Sequence, residues 1–196
     1  PGPRKAGGRE LCLSSLGFSG LAFFLTRQLA SAMIERMSLD LALESAAQRY
    51  LEGAPEKLRD SICYSLLAPG KRIRPRLALA TSQMLRLNEA ASLPPALAIE
   101  MIHCFTLIHD DLPCMDNDDF RRGKPTNHKV FGESLALLAG DALLTMAFEV
   151  LTEASDQVPG PNFVRGLQRL LRCSGPRGVA GGQALEMTLG DHAALD

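Results

Sequence analysis

From Leu39 onward, apolar positions recur at intervals of three and four, the spacing that gathers side chains on one face of an α-helix. Leu39, Leu43, Ala46, Ala47, Tyr50 and Leu51 mark a first helix, closed by Gly53 and Pro55. Leu58, Ile62, Cys63, Leu66 and Leu67 mark a second, Glu56 to Ala68, stopped by Pro69 and Gly70. Arg76 to Leu87 reads as a third, and Asn88 to Pro95 as a loop braked by Leu93-Pro94-Pro95. A central helix follows, Ala96 to Asp111, with Leu97, Met101, Phe105 and Ile108 on its buried side. Ser134 to Thr152 is strongly apolar and helical, with a lone Asp141 expected to be structural. Asp156 to Pro161 is a turn, Phe163 to Cys173 an amphipathic helix, and Gly175 to Gly182 a glycine-rich start to the last segment. The pattern predicts an all-α protein.

Residues 1–37 differ from this. Arg4, Lys5, Arg9 and Arg27 face only Glu10 before Glu35, and Leu11 to Leu25 is an apolar run too short to span a bilayer comfortably. Three readings stay open: a targeting segment, upstream sequence outside the mature protein, or an N-terminal helix packed on the core. The expected compartment is cytoplasmic, or an organelle if this stretch is a transit peptide. It is set apart as an extension, with residues 38–196 as the domain.

Composition narrows the class. With 46% hydrophobic and 5% aromatic residues and no Trp, the 196-residue chain can bury a sizeable core of Leu and Ala. A net charge of −1 gives no overall attraction to nucleic acid or anionic membrane, and neither is expected as a partner. Five cysteines without a CxxC pair argue against a zinc site or disulfide framework and for reduced thiols. Cys104 and Cys114 flank an acidic block, where packing is the expected role.

Charge is segregated locally. Asp110, Asp111, Asp116, Asp118 and Asp119 fall within ten positions, with Arg121 and Arg122 close behind. Asp110 and Asp111 end the central helix, where the helix dipole disfavours anions, so something positive must offset them. Mg²⁺ is a hard, oxygen-seeking ion that is held by one or two carboxylates plus substrate phosphates. Guanidinium groups match phosphate bidentately, so Mg²⁺ with a diphosphate is the simplest joint reading. Upstream, Lys71, Arg72, Arg74 and Arg76 crowd around Gly70 and make a reasonable diphosphate cradle. His103 lies seven residues before Asp110, two helical turns or about 10 Å along the axis.

The stretch LIHDDLPCMDNDDFRRGKPT resembles the first aspartate-rich motif of the trans-isoprenyl diphosphate synthases, the polyprenyl synthetase family, of farnesyl or geranylgeranyl diphosphate synthase type. LAPGKRIRP resembles that family's GGKRxRP motif, with Pro69 where the first glycine is usual. GGQALE resembles its GGQxxD helix, with Glu186 for aspartate. The resemblance implies an isoprenoid synthase-type helical bundle around a central cavity, and a homodimer. It implies an enzyme that condenses an allylic diphosphate (dimethylallyl, geranyl or farnesyl) with isopentenyl diphosphate, giving farnesyl or geranylgeranyl diphosphate. Carried over residue by residue, Asp110, Asp111 and Asp116 hold Mg²⁺ and, with Arg121, the allylic diphosphate. Lys71, Arg74, His103 and Arg122 hold isopentenyl diphosphate, and Gln183 approaches the allylic group. Phe105 and Thr106 face the growing prenyl tail. Phe105 suggests a fifteen-carbon product, whereas the insert Leu112 to Met115 and the following KPTNHKVFGE suggest geranylgeranyl diphosphate. His109 is expected to be structural.

The family's second motif, DDxxD, and the Lys-Thr pair before it do not occur in these 196 residues. The chain is therefore expected to be the N-terminal part of the domain, able to bind diphosphate but poor in turnover. Two other functions fit the fold class: a non-catalytic partner subunit, against which the intact aspartates speak, and a class I terpene cyclase, against which GKRIRP speaks.

Overall fold

The computed structural model describes residues 38–189, and the expectations for residues 1–37 lie outside them. The chain is helical almost throughout, as the apolar spacing predicts. Its helices are α1 over 38–50, α2 Glu56–Leu66, α3 Ile73–Met84, α4 Glu89–Asp110, α5 Asn127–Phe131, α6 Glu133–Thr152, α7 Gly160–Ser174 and α8 Val179–Leu189. A two-stranded ribbon, β1 Phe120–Arg121 and β2 Lys124–Pro125, interrupts the series between α4 and α5.

The core is built on α4 against α6. Leu97, Ala98, Met101 and Ile108 of α4 are buried with Ala136, Ala139, Leu143, Ala147 and Val150 of α6. Small residues on α6 let the two backbones come close. Gly140 marks the tightest point, for a Cβ there would lie 2.1 Å from His109 Nε2. Leu39, Leu43 and Ala47 of α1 and Ile62 and Leu66 of α2 complete the same cluster. α4 and α6 are long and apolar enough to cross a membrane by length and composition alone. Here they are the core pair of a helical bundle.

Several boundaries differ from the sequence reading: α7 begins at Gly160, inside the expected turn, α3 ends at Met84, and two further differences bear on the site. α4 begins at Glu89, so Pro94 and Pro95 lie inside it and not in a loop. A proline removes its own N–H and crowds the carbonyl four residues back. Asn88 offsets this by capping the helix, its Oδ1 accepting from Ala91 N at 2.8 Å, while Pro94 and the following Ala96 and Leu97 are buried. α3 begins at Ile73, three residues before the predicted start, because Arg72 turns the backbone through a left-handed step with φ 48° and becomes its N-cap. Arg74 and Arg76 are thus helical, and only Lys71 and Arg72 remain in the turn.

Candidate functional site

α4 delivers the acidic end. Asp110 is its last residue and Asp111 its C-cap. The chain then folds back tightly: Met115 N and Asn117 N donate to Leu112 O, and Asp116 N donates to Asp110 O at 2.8 Å. Asn117 supplies the left-handed turn with φ 55°. This is how a carboxylate six positions on returns to the helix end.

The aspartates then divide. Asp111 is buried, with 5% of its side chain exposed, and its Oδ1 accepts from Arg121 Nε at 2.6 Å. Arg121 reaches Asp118 Oδ2 at 3.3 Å as well. Burial pushes the Asp111 carboxyl up, the Arg121 hydrogen bond draws it down, and the net direction is up. Asp110 is half-buried and Asp116 exposed. Neither carboxylate has a hydrogen bond or ion pair among the described residues. Burial first, and the charge of Asp116 next, hold the Asp110 carboxyl above its ordinary value.

Two oxygen-donor groups with like charge and no cation between them suit a divalent hard ion, and Mg²⁺ is commonly held by one or two carboxylates plus phosphates. The residues present therefore fit Mg²⁺ through Asp110 and Asp116. Among the described residues no group of three His, Cys, Asp or Glu side chains is gathered for a metal. The three-aspartate set expected from the sequence is thus divided, because Arg121 already neutralises Asp111.

The arginines ride on the ribbon. Phe120 pairs with Pro125 and Arg121 with Lys124, leaving Arg122 and Gly123 as a two-residue turn with φ 53° and 78°. Two positive φ values in succession are what a type I′ turn requires. The ribbon is pinned to α2 from below. Asn127 Nδ2 donates to Ser61 O and Ser65 Oγ at 2.8 Å, its Oδ1 accepts from Ser61 Oγ at 2.8 Å, and Tyr64 OH donates to Pro125 O at 2.7 Å. Thr126 Oγ1 closes the acidic loop by donating to Asp118 O at 2.7 Å. Nothing in the apolar spacing announces this ribbon; only the run of polar residues after Lys124 hints at it.

The basic block forms a cavity of about 410 Å³ lined by Lys71, Arg74, His103, Arg122, Arg72 and Glu100 among others. All four residues expected to hold one diphosphate therefore share one concavity. Arg74 Nη1 lies 3.3 Å from His103 Nε2, a contact in which the imidazole accepts. Burial first, then the positive charge of Arg74, hold the His103 pKa below its ordinary value, so the ring is neutral there. Arg122 Nη1 donates to Pro69 O at 3.2 Å and lies over Gly70, where a Cβ would sit 2.6 Å from it. Pro69 thus contributes its carbonyl, which proline keeps. Arg122 also lines a smaller adjoining cavity of about 100 Å³, with Asp111, Arg121, Tyr64 and Leu107. Through Arg122 the two charged blocks adjoin, although Asp110 and Asp116 line neither cavity.

Other expected residues stand apart. Phe105 packs edge-on against the His109 ring at 5.3 Å, and Thr106 Oγ1 donates to His103 O at 2.8 Å. Neither lines the two cavities. His109 Nε2 lies 3.0 Å from Leu137 O and 3.8 Å from Asp141 Oδ1, which gives both a place between α4 and α6. Gln183 and Glu186 sit on α8, which packs chiefly on α7, and they line neither cavity. Cys104 is buried and its thiol pushed up to about 12 by desolvation, which makes it an inert packing group. The residue that sequence reasoning misplaced is Arg72, buried with Glu100 and paired as well with the partly exposed Asp40. Glu100 was the available signal: a lone charge in an apolar helix needs a partner.

An all-helical bundle carrying a carboxylate pair beside a cationic cavity defines the class. Residues 55–196 match the polyprenyl synthetase family, to which the chain belongs. It is 55% identical over 149 residues to a farnesyl diphosphate synthase of Geobacillus stearothermophilus, covering 74% of this chain and 50% of that protein. It is 50% identical over 150 residues to a chloroplastic geranylgeranyl pyrophosphate synthase of Catharanthus roseus, covering 76% and 41%. Among solved structures it is similar to an FPP/GFPP synthase from Zymomonas mobilis, with TM-score 0.69 and 38% identity over 80% of this chain and 59% of that one. A geranyltransferase from Legionella pneumophila gives TM-score 0.70 and 34% identity over 84% and 61%. The chain spans about half the length of the curated relatives it matches.

Proposed function

We propose that the chain carries the diphosphate-binding half of a trans-prenyltransferase that joins an allylic diphosphate to isopentenyl diphosphate. The single observation behind this reading is the convergence of Lys71, Arg74, His103 and Arg122 on one cavity whose wall, Arg122, adjoins the acidic end of α4. Lys71, Arg74 and Arg122 supply charge for one diphosphate, and neutral His103 offers the geometry of a second-row partner to Arg74. Asp110 and Asp116 would hold Mg²⁺, and Asp111 holds Arg121 in place beside them. When bound, Mg²⁺ supplies Lewis-acid neutralisation of a leaving diphosphate.

In such a condensation the allylic C–O bond breaks, the diphosphate leaves with its electron pair, the isopentenyl double bond attacks the allylic carbon, and a proton is lost. This chain's residues contribute position and charge to that step. The names of the relatives support farnesyl and geranylgeranyl products alike, and Phe105 stays a candidate for limiting tail length. Homodimerisation belongs to the same proposal; Leu137 and Leu138 of α6, 47% and 52% exposed, are apolar positions a partner copy would cover.

The test is equilibrium binding of isopentenyl diphosphate, then an assay with dimethylallyl, geranyl or farnesyl diphosphate and Mg²⁺. Binding that falls at least tenfold in both Lys71→Ala and Arg74→Ala, with slow or no turnover by the 196 residues, is expected. Binding indifferent to both substitutions would end the reading.

A further inference from the structure

The sequence presents Lys71, Arg72 and Arg74 as equivalent cations, and the structure separates them. Lys71 and Arg74 are exposed at the cavity, whereas Arg72 keeps only 4% of its side chain exposed. Its guanidinium is spent on protein. Nε donates to Asp40 Oδ1 at 2.8 Å, Nη1 to Glu100 Oε1 at 3.0 Å, and Nη2 to Leu66 O at 3.1 Å and Ala68 O at 3.0 Å. These partners belong to α1, to α4 and to the end of α2, where carbonyls lack intrahelical donors and a cation is favoured.

The backbone of the same residue is left-handed, φ 48°, a conformation that a non-glycine residue keeps only where its surroundings over-determine it. Four hydrogen bonds to three helices provide that. The left-handed step ends the turn from Gly70 and starts α3 at Ile73, so it fixes the direction in which Lys71 leaves the backbone and the register that sets Arg74 Nη1 3.3 Å from His103 Nε2. Glu100 lies three residues before His103 on α4 and lines the same cavity. One ion pair thereby couples the cradle turn to the wall that carries His103.

We infer that Arg72 is a positioning residue for the basic cavity: clamped to Glu100, Asp40 and the end of α2, it sets the left-handed step that aims Lys71 and Arg74 at a bound diphosphate. The inference rests on the diphosphate reading of that cavity. A purely structural ion pair would stabilise the fold and leave affinity alone.

Replacing a buried ion pair by apolar side chains of similar size is commonly neutral or stabilising, whereas removing one partner strands a buried charge. The paired variant Arg72→Met with Glu100→Met therefore separates the two roles. Its melting temperature is expected within a few degrees of the parent's, the lost bonds to Asp40, Leu66 O and Ala68 O offsetting the gain from the apolar swap, while affinity for inorganic diphosphate and for isopentenyl diphosphate falls about tenfold, as 1.4 kcal/mol would give. Amide hydrogen exchange at residues 70–74 is expected to speed up at least tenfold with α4 and α6 unchanged. Affinity within twofold of the parent in a folded double variant would overturn the inference. Should that variant not fold, Glu100→Ala removes the acceptor of Arg72 Nη1 and lowers affinity several-fold; unchanged affinity there overturns it equally. A parent chain that binds no diphosphate sinks the functional reading, and the exchange rates at 70–74 still decide whether Arg72 sets the backbone.

Discussion

Arg122, at the tip of the ribbon, donates through Nη1 to the carbonyl of Pro69, 53 positions earlier in the chain, at 3.2 Å. One contact thus joins the arginine that follows the acidic motif to the turn that opens the basic motif. The close approach requires Gly70, whose missing Cβ leaves room for the guanidinium.

Gly70→Ala places a methyl carbon 2.6 Å from Arg122 Nη1. The obstructed atom is the end of a flexible side chain, so the fold accommodates the change and the guanidinium moves. Affinity for inorganic diphosphate is expected to fall about three- to tenfold, or about 0.7–1.4 kcal/mol, with a melting temperature within a few degrees of the parent. Isothermal titration calorimetry and a thermal melt read both; unaltered affinity would show that Arg122 takes no part in the cavity.

The divided aspartates predict different consequences for substitutions that look alike. Asp110→Asn and Asp116→Asn remove carboxylates that have no partner among the described residues, so the apo fold should keep its stability or gain a little as like-charge repulsion is relieved. Stabilisation by added Mg²⁺ should be lost in both. Asp111→Asn weakens the bond to Arg121 and is expected to destabilise by about 1–3 kcal/mol while a Mg²⁺ response remains. Urea unfolding with and without Mg²⁺ distinguishes the three variants. Equal Mg²⁺ responses in all three would refute the division.

What the sequence disclosed follows from how local each cause is. Asp110, Asp111, Lys71 and Arg74 were legible because their chemistry is concentrated within short windows, and the central helix because its apolar spacing runs to the aspartates. The burial of Arg72 was not, since it depends on Asp40 and Glu100, 32 and 28 positions away. Pro94 and Pro95 misled because proline's effect on a helix was weighed without the Asn88 cap and the burial of the turns that follow. The ribbon was hidden because Arg-Gly is a poor type I′ signal and its strands are two residues long. Gln183 was placed by motif alone, and α8 carries it on a helix packed chiefly on α7.

His103 gives the site a pH dependence. Its pKa is lowered by burial first, then by Arg74, with Arg122 and Arg121 acting in the same direction and Glu100 opposing them. The folded state therefore binds fewer protons than the unfolded one below the ordinary imidazole value of 6.5, and stability is lost as pH falls from there through the folded pKa. A diphosphate anion in the cavity would raise that pKa. Imidazole resonances of His103 should titrate below 6.5 in the free chain and shift upward when inorganic diphosphate is added. No upward shift would place the anion away from His103.

Arg122 occupies the first position of a type I′ turn at φ 53°, where a non-glycine residue is strained and Asn is the better tolerated choice. Arg122→Asn creates Asn-Gly at the turn, the most favourable two-residue hairpin sequence, and removes the guanidinium from both cavities. Losing the hydrogen bond to Pro69 O costs about 1 kcal/mol, and relief at the turn is of the same order, so stability should change by less than about 1 kcal/mol. Diphosphate affinity should nevertheless fall by tenfold or more, because a charge-assisted donor is gone. The opposed responses carry the argument: strain kept at a turn where a better residue exists is evidence that the side chain serves a ligand. Urea midpoints alongside calorimetric affinities test it, and a variant that loses stability while binding as tightly as the parent would assign Arg122 to the fold alone.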